Sequence, residues 1–166
     1  MDRFPKPAFL SLGSNLGDRV PQIERALSLL EESGVRVLRR SSFYETEPVG
    51  MPAQRWFINC VVEVETELMP LALLRLLRRL ERQLGRGAPA GPTPAARRID
   101  IDILIYGTSL VRLPELVIPH PQLAERRFVL EPLRELAPDW RHPSTRLTPA
   151  EMLAQLADRS AVRRLR

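Results

Sequence analysis

Between Arg98 and Tyr106 isoleucine alternates with acid, as Arg98-Ile-Asp-Ile-Asp-Ile-Leu-Ile-Tyr106. A period of two is a strand signature, because successive side chains of a strand point to opposite faces. It predicts a strand over 98–106 with Ile99, Ile101, Ile103 and Ile105 on one face. Asp100 and Asp102 then share the other face, about 6–7 Å apart along the strand. The apolar face commits this strand to a core. The acidic face sets a chemical problem, since two like charges repel and partial burial adds a desolvation cost. A hard dication removes both penalties, and magnesium is usually held by one or two carboxylates together with phosphates and waters. The residues alone leave two readings open: a magnesium-binding pair, or an edge strand with one solvated polar face.

The rest of the chain supplies partners for that strand. An apolar run over 8–12 ends in Gly13-Ser14-Asn15 and reads as a buried strand followed by a turn. A helix is predicted over 18–33, with Val20, Ile23, Leu27 and Leu30 on one face and Gly34 as its stop. Strands are predicted over 35–44 and 56–65, separated by a loop over 45–55 that carries Pro48, Gly50 and Pro52. A second helix over 70–84 has Leu73, Leu77, Leu80 and Leu84 as its stripe. The segment 86–96 is rich in Gly, Pro and Ala and reads as a long inserted lid loop. Residues 110–118 suit a further strand or hairpin arm, and short helical pieces are expected over 123–127 and 130–136. A last helix starts at Thr148-Pro149-Ala150-Glu151, a capping-box pattern. Strand, helix, strand, strand, helix, strand is the order of an α+β, ferredoxin-like split β-α-β sheet with helices packed on it. We expect a single domain over 1–166.

Bulk properties narrow the function classes. The chain has 166 residues, 44% of them hydrophobic and 27% charged, which suits a soluble domain with one buried core. No stretch approaches the roughly 20 apolar residues of a membrane span, and the first residues lack the pattern of a signal peptide. Cys60 is the one cysteine. Without a disulfide or an export signal, the cytoplasm is the expected compartment. The net charge of +5 resides almost wholly in arginine, with Lys6 the one lysine, so the placement of arginines tells more than their sum. Arg97 and Arg98 precede the acidic pair, and His120, Arg126 and Arg127 follow it. Magnesium with arginine forks is what a polyphosphate site needs.

Ordered blocks then carry a resemblance. They are Ser11-Leu-Gly-Ser-Asn-Leu-Gly17, Ser41-Ser-Phe-Tyr-Glu-Thr-Glu-Pro48, Phe57-Ile-Asn59, Leu80-Glu81, Gly85-Arg86, Arg97-Arg-Ile-Asp-Ile-Asp-Ile-Leu104, Ile118-Pro-His120 and Glu125-Arg-Arg-Phe-Val-Leu-Glu-Pro132. In this order the chain resembles the 6-hydroxymethyl-7,8-dihydropterin pyrophosphokinases of folate biosynthesis. The resemblance implies pyrophosphate transfer from ATP to the pterin hydroxymethyl group, giving AMP. It implies that Asp100 and Asp102 bind two magnesium ions. It implies that Thr46 and Asn59 hydrogen-bond the pterin with backbone help near Val49, that Phe57 and Phe128 sandwich its ring, and that Gly13 passes close to it. Glu81, Arg97, Ile103, His120 and Arg126 match positions around the nucleotide, and Arg86 with Arg97 joins the catalytic set. The partners implied are these small molecules alone, with no nucleic acid or membrane, and a monomer is expected.

The match departs from the family in the loop 86–96, where Gly87-Ala-Pro-Ala-Gly-Pro-Thr-Pro-Ala-Ala96 carries neither the second arginine nor the tryptophan of relatives. Pro121 replaces an aromatic residue and Glu47 a common proline. The expectation is an active enzyme with an altered lid. The alternative is a catalytically weakened member that serves as a pterin- or nucleotide-binding partner. A basic RNA-recognition module shares the sheet topology but needs exposed aromatics where this strand has aspartates.

Overall fold

The computed structural model describes residues 4–49, 55–85 and 99–166. The predicted lid loop 86–96, and with it Arg86, Arg97 and Arg98, lies outside the described residues. The elements in chain order are β1 (Lys6–Ser14), α1 (Arg19–Glu32), β2 (Arg36–Arg40), β3 (Tyr44–Thr46), β4 (Phe57–Thr66), α2 (Pro70–Gln83), β5 (Asp100–Tyr106), β6 (Val111–Leu113), β7 (Leu116–Ile118), α3 (Arg127–Leu136), α4 (Pro149–Gln155) and β8 (Val162–Arg164).

The three long apolar strands β1, β4 and β5 lie side by side in one antiparallel sheet, with β5 at its edge. β1 lies between β4 and β5, and the path β5-β1-β4-β3-β8 has β2 on β4 as well. This is the predicted split β-α-β arrangement. One face is covered by α1 and α2, whose Ile23, Leu30, Leu73 and Leu77 pack on Leu10, Leu12, Val62 and Ile101. On the other face α3 and α4 lay Val129, Leu130, Leu133 and Met152 against Val61, Leu104 and Ile105. Cys60 is fully buried in the first of these layers, and burial pushes its thiol up to about 12.

Local chemistry changes several predicted boundaries. β1 runs on through Gly13 to Ser14, so Gly13 is a strand residue and not the start of a turn. The predicted strand over 35–44 is two strands, because Ser41 interrupts it. The Ser41 hydroxyl accepts the Val61 N–H at 2.9 Å while its own N–H donates to the Val61 carbonyl, so a side chain takes a backbone place in the ladder. Residues 110–118 form the β6–β7 hairpin, and Thr148 with Glu151 closes the capping box that the sequence predicts. The two helical pieces expected over 123–136 are instead a short 3-10 turn, Leu123–Glu125, and one helix, α3, that continues through Pro132. The hydrogen bond that Pro132 forfeits is offset by burial of its ring with the apolar stripe. β8 has no counterpart among the predicted elements.

The alternation in β5 also breaks. Phe9 pairs with Ile105 and Leu10 with Ile103, which leaves Leu104 as an extra, bulged residue. The bulge turns Leu104 and Ile105 both toward α3. Ile105 therefore does not share the face of Ile99, Ile101 and Ile103. Functionally the bulge divides the α3-side face of β5 in two. Its C-terminal part is apolar and covered, and its N-terminal part carries Asp100 and Asp102.

Candidate functional site

Where α3 stops covering the sheet, a cleft of about 680 Å³ opens over the ends of β1, β3, β4 and β5. Its floor follows from the strand register. Gly13 pairs with Asn59 on one side and with Asp100 on the other. One row of the sheet thus runs Asn59, Gly13, Asp100, and the next runs Val61, Ser11, Asp102. Adjacent strands lie about 4.8 Å apart, so an amide and a carboxylate stand roughly 10 Å apart across a glycine.

The amide end is preorganised. Asn59 and Thr46 are buried, and Asn59 Nδ2 donates to Thr46 Oγ1 at 2.6 Å. One amide hydrogen and Oδ1 of Asn59 are not used in that bond, and neither is the Thr46 hydroxyl hydrogen. Gly13 is required here by proximity: a Cβ on it would collide with Asn59 Oδ1 and touch the Phe57 ring at 3.7 Å. Phe57 rises from the floor beside Thr46, its register partner on β3. Phe128, in the first turn of α3, lines the cleft as well, with the Arg126 guanidinium 5.5 Å from its ring centroid. Arg126 also donates to Gln122 Oε1.

The acidic end borders a cationic layer. Arg78 on α2 donates to the carboxylate of Glu81, which is fully buried, and its second Nη lies 3.9 Å from Asp102 Oδ1. Arg78 is absent from the sequence-derived set. A signal for it exists, since a glutamate next to an apolar stripe needs a cation, and Arg78 stands three residues before Glu81 on the same helix. Asp100 and Asp102 are both half-buried and both line the cleft.

His120 follows the cis Ile118–Pro119 bond. Its N–H donates to the Leu104 carbonyl, and its Nδ1 accepts the Gln122 N–H at 3.1 Å. The ring hydrogen therefore sits on Nε2 in the neutral form. Burial first, then Arg126, pushes His120 down to about 4, with Asp100 pulling the other way. The unfolded chain takes up this proton first, so His120's contribution to stability is lost as pH falls from the ordinary histidine value toward 4. His142 is also held low, by burial. Proton NMR of the imidazole rings is expected to show His120 neutral at pH 6, and a His120 midpoint near 6.5 would contradict its burial.

The cleft brings together Gly13, Thr46, Val49, Phe57, Asn59, Asp100, Asp102, Arg126 and Phe128 of the sequence-derived set. Three others stand elsewhere. Glu81 is buried under α2, and His120 is half-buried beside the cleft. The Ile103 side chain is buried in the helix-side core, so a nucleotide contact from Ile103 is a matter for its backbone on the β5 edge. Glu47, Ala157 and Asp158 line the cleft without having been among the predicted residues.

A cleft with amide and aromatic groups at one end and paired carboxylates at the other suits a transferase that joins a planar heterocycle to a polyphosphate donor. The chain belongs to the 7,8-dihydro-6-hydroxymethylpterin-pyrophosphokinase family, whose model matches residues 9–138. The family's activity is ATP-dependent pyrophosphate transfer in folate biosynthesis. A 2-amino-4-hydroxy-6-hydroxymethyldihydropteridine pyrophosphokinase of Porphyromonas gingivalis is 45% identical over 137 residues, covering 81% of this chain and 92% of the relative. The folic acid synthesis protein fol1 of Schizosaccharomyces pombe is 43% identical over 152 residues, 91% of this chain. The chain spans about a fifth of the length of that longer relative, the match covering 20% of it. Among solved structures, Plasmodium falciparum HPPK-DHPS with STZ-DHP superposes with a TM-score of 0.71 at 18% identity, over 91% of this chain and 43% of that one. That likeness concerns the fold. No described helix is long and apolar enough to cross a membrane.

Proposed function

We propose that this chain, acting as a single domain and as a monomer in the cytoplasm, transfers pyrophosphate from ATP to 6-hydroxymethyl-7,8-dihydropterin. The observation that carries the reading is the row Asn59, Gly13, Asp100, which sets the buried amide of the cleft directly beside the acidic pair.

In this reading Asn59 offers an acceptor and a second donor to the pterin edge, Thr46 adds its hydroxyl, and the backbone near Val49 completes the recognition. Phe57 and Phe128 clamp the ring, and offset stacking gives the slot its selectivity for a flat heterocycle. Gly13 lets the ring lie against the strand. The donor set suits magnesium, because two carboxylates face one cleft and magnesium takes its remaining ligands from phosphate oxygens and waters. Asp100 and Asp102 would hold two such ions, which when bound neutralise phosphate charge and fix its orientation. Arg126 and the Nε2–H of His120 face the polyphosphate as donors, with Arg86 and Arg97 as further cations. Glu81 acts through Arg78, and Ile103 through its backbone.

The chemical step is displacement at the β-phosphorus of ATP. The pterin hydroxymethyl oxygen bonds to it, the bridge to the α-phosphate breaks, AMP leaves, and the hydroxyl proton passes to water. The protein's part is positioning and charge compensation. The test is AMP formation from ATP, measured with and without magnesium and with and without the pterin. AMP appearing only when both are present is the expected result. No AMP, with the pterin still bound by calorimetry, would leave a binding protein in place of an enzyme.

A further inference from the structure

We infer that the segment 156–164 is a strap that fixes the width of the pterin slot, with Glu47 and Asp158 as its two positioning anchors. This rests on the function proposed above for the cleft. The segment lies beyond the stretch 9–138 that defines the family match. It nevertheless touches both walls of the cleft, and Ala157 and Asp158 line it.

On the β3 wall, β8 pairs antiparallel with β3, and Val162 stands opposite Thr46. The next residue, Glu47, holds the strap twice. Its N–H donates to the Ala161 carbonyl at 2.9 Å, and its Oε2 accepts the Ala161 N–H at 2.9 Å. Farther along, Glu45 pairs with Arg163, and Arg164 Nε donates to Ser42 Oγ at 2.9 Å. On the α3 wall, Asp158 accepts the Ser160 N–H at 2.8 Å and the Arg127 N–H at 3.4 Å, and Arg127 Nη1 donates to the Ser160 carbonyl at 3.0 Å. Arg127 immediately precedes Phe128.

One short segment therefore ties the residue after Thr46 to the residue before Phe128. Those two side chains belong to opposite walls of the slot. Tyr44 and Glu135 join the same two elements deeper in the fold, through a 2.8 Å hydrogen bond at the far end of α3. That pair sets the base of the slot, and the strap sets its mouth. A strap made of backbone pairing plus two carboxylate anchors is stiff at little cost in buried area. Ring stacking is sensitive to wall spacing, so loosening the mouth weakens the heterocycle's hold more than the polyphosphate's.

The experiment uses the full chain with Glu47→Ala and Asp158→Ala, singly and together, and with the pair Glu47→Gln and Asp158→Asn. The last two keep an acceptor oxygen at each anchor. Calorimetry with the pterin and with magnesium-ATP gives the two affinities, and hydrogen exchange reports on β3 and on the start of α3. The double alanine variant is expected to bind the pterin about tenfold more weakly and magnesium-ATP within twofold of the parent. The amide-bearing pair is expected to recover most of the loss. Exchange at 44–46 and at 127–129 should rise together in the double alanine variant, a result that does not depend on any ligand. Unchanged exchange in both segments overturns the strap even if the parent fails to bind pterin, which would separately overturn the proposed function. Equal weakening toward both ligands, or no rescue by the amide pair, also overturns it.

Discussion

Asp100→Ala is expected to lower AMP formation by a factor on the order of 10³ or more while the thermal midpoint stays near that of the parent. Asp100 is half-buried at the N-terminal end of β5, on the side of the sheet away from α1 and α2. Its neighbours Ile99 and Ile101, which point the other way, are fully buried and carry the packing. Removing the carboxylate therefore leaves the core intact. The negative charge it removes faces the cleft, where a triphosphate needs a cation to be tolerated at all. The same variant is expected to bind the pterin with unchanged affinity, because the amide end lies across Gly13, roughly 10 Å away. Manganese binding followed by electron paramagnetic resonance, with ATP present, gives a readout besides turnover and should weaken strongly. A variant that turns over at the parental rate would sink the assignment of a metal to this strand.

That experiment tests the part of the site the sequence displayed most openly. A carboxylate pair alternating with isoleucines needs nothing beyond strand periodicity to be seen. The three long strands β1, β4 and β5 and the helices α1 and α2 are legible for the same reason, since each has a sustained apolar period. The features that escaped depend on contacts between distant residues. Ser41 breaks a strand because its hydroxyl meets the Val61 N–H, twenty residues away. Leu104 bulges because β1 and β5 are out of step there. β8 is three residues long, with two arginines, and is held by backbone pairing with β3. No local propensity announces such a strand. Thr46, Asn59 and Phe57, proposed for the pterin, stand out in the sequence only through ordered motif blocks, and their convergence on one side of the cleft follows from the β3–β4 register. Arg78 was passed over because, in a chain so rich in arginine, one more on a helix reads as solvated surface. The burial of Glu81 and the approach of Asp102 give it a task.

Gly13→Ala probes the same floor from the other direction. A single methyl group is a small change in an ordinary strand, and alanine adopts strand geometry without strain. Here the methyl would clash with Asn59 Oδ1. The amide has little room to yield. Asn59 is 4% exposed, and its Nδ2 is tied to Thr46 Oγ1 at 2.6 Å. The side chain must rotate away, which breaks that bond and turns the recognising oxygen out of line. Leaving a buried polar partner without its hydrogen bond costs about 1–3 kcal/mol, up to about a hundredfold in affinity. The expected result is therefore a pterin dissociation constant about a hundredfold higher, with magnesium-ATP affinity close to that of the parent, since the polyphosphate end is reached from Asp100 and Asp102. Asn59→Ala in the Gly13→Ala background separates the two causes of loss. If the methyl acts through the amide, the double variant binds the pterin no more weakly than Asn59→Ala alone. If the losses add, the methyl obstructs the ring directly, and Gly13 is required by the ligand and not by its strand neighbour.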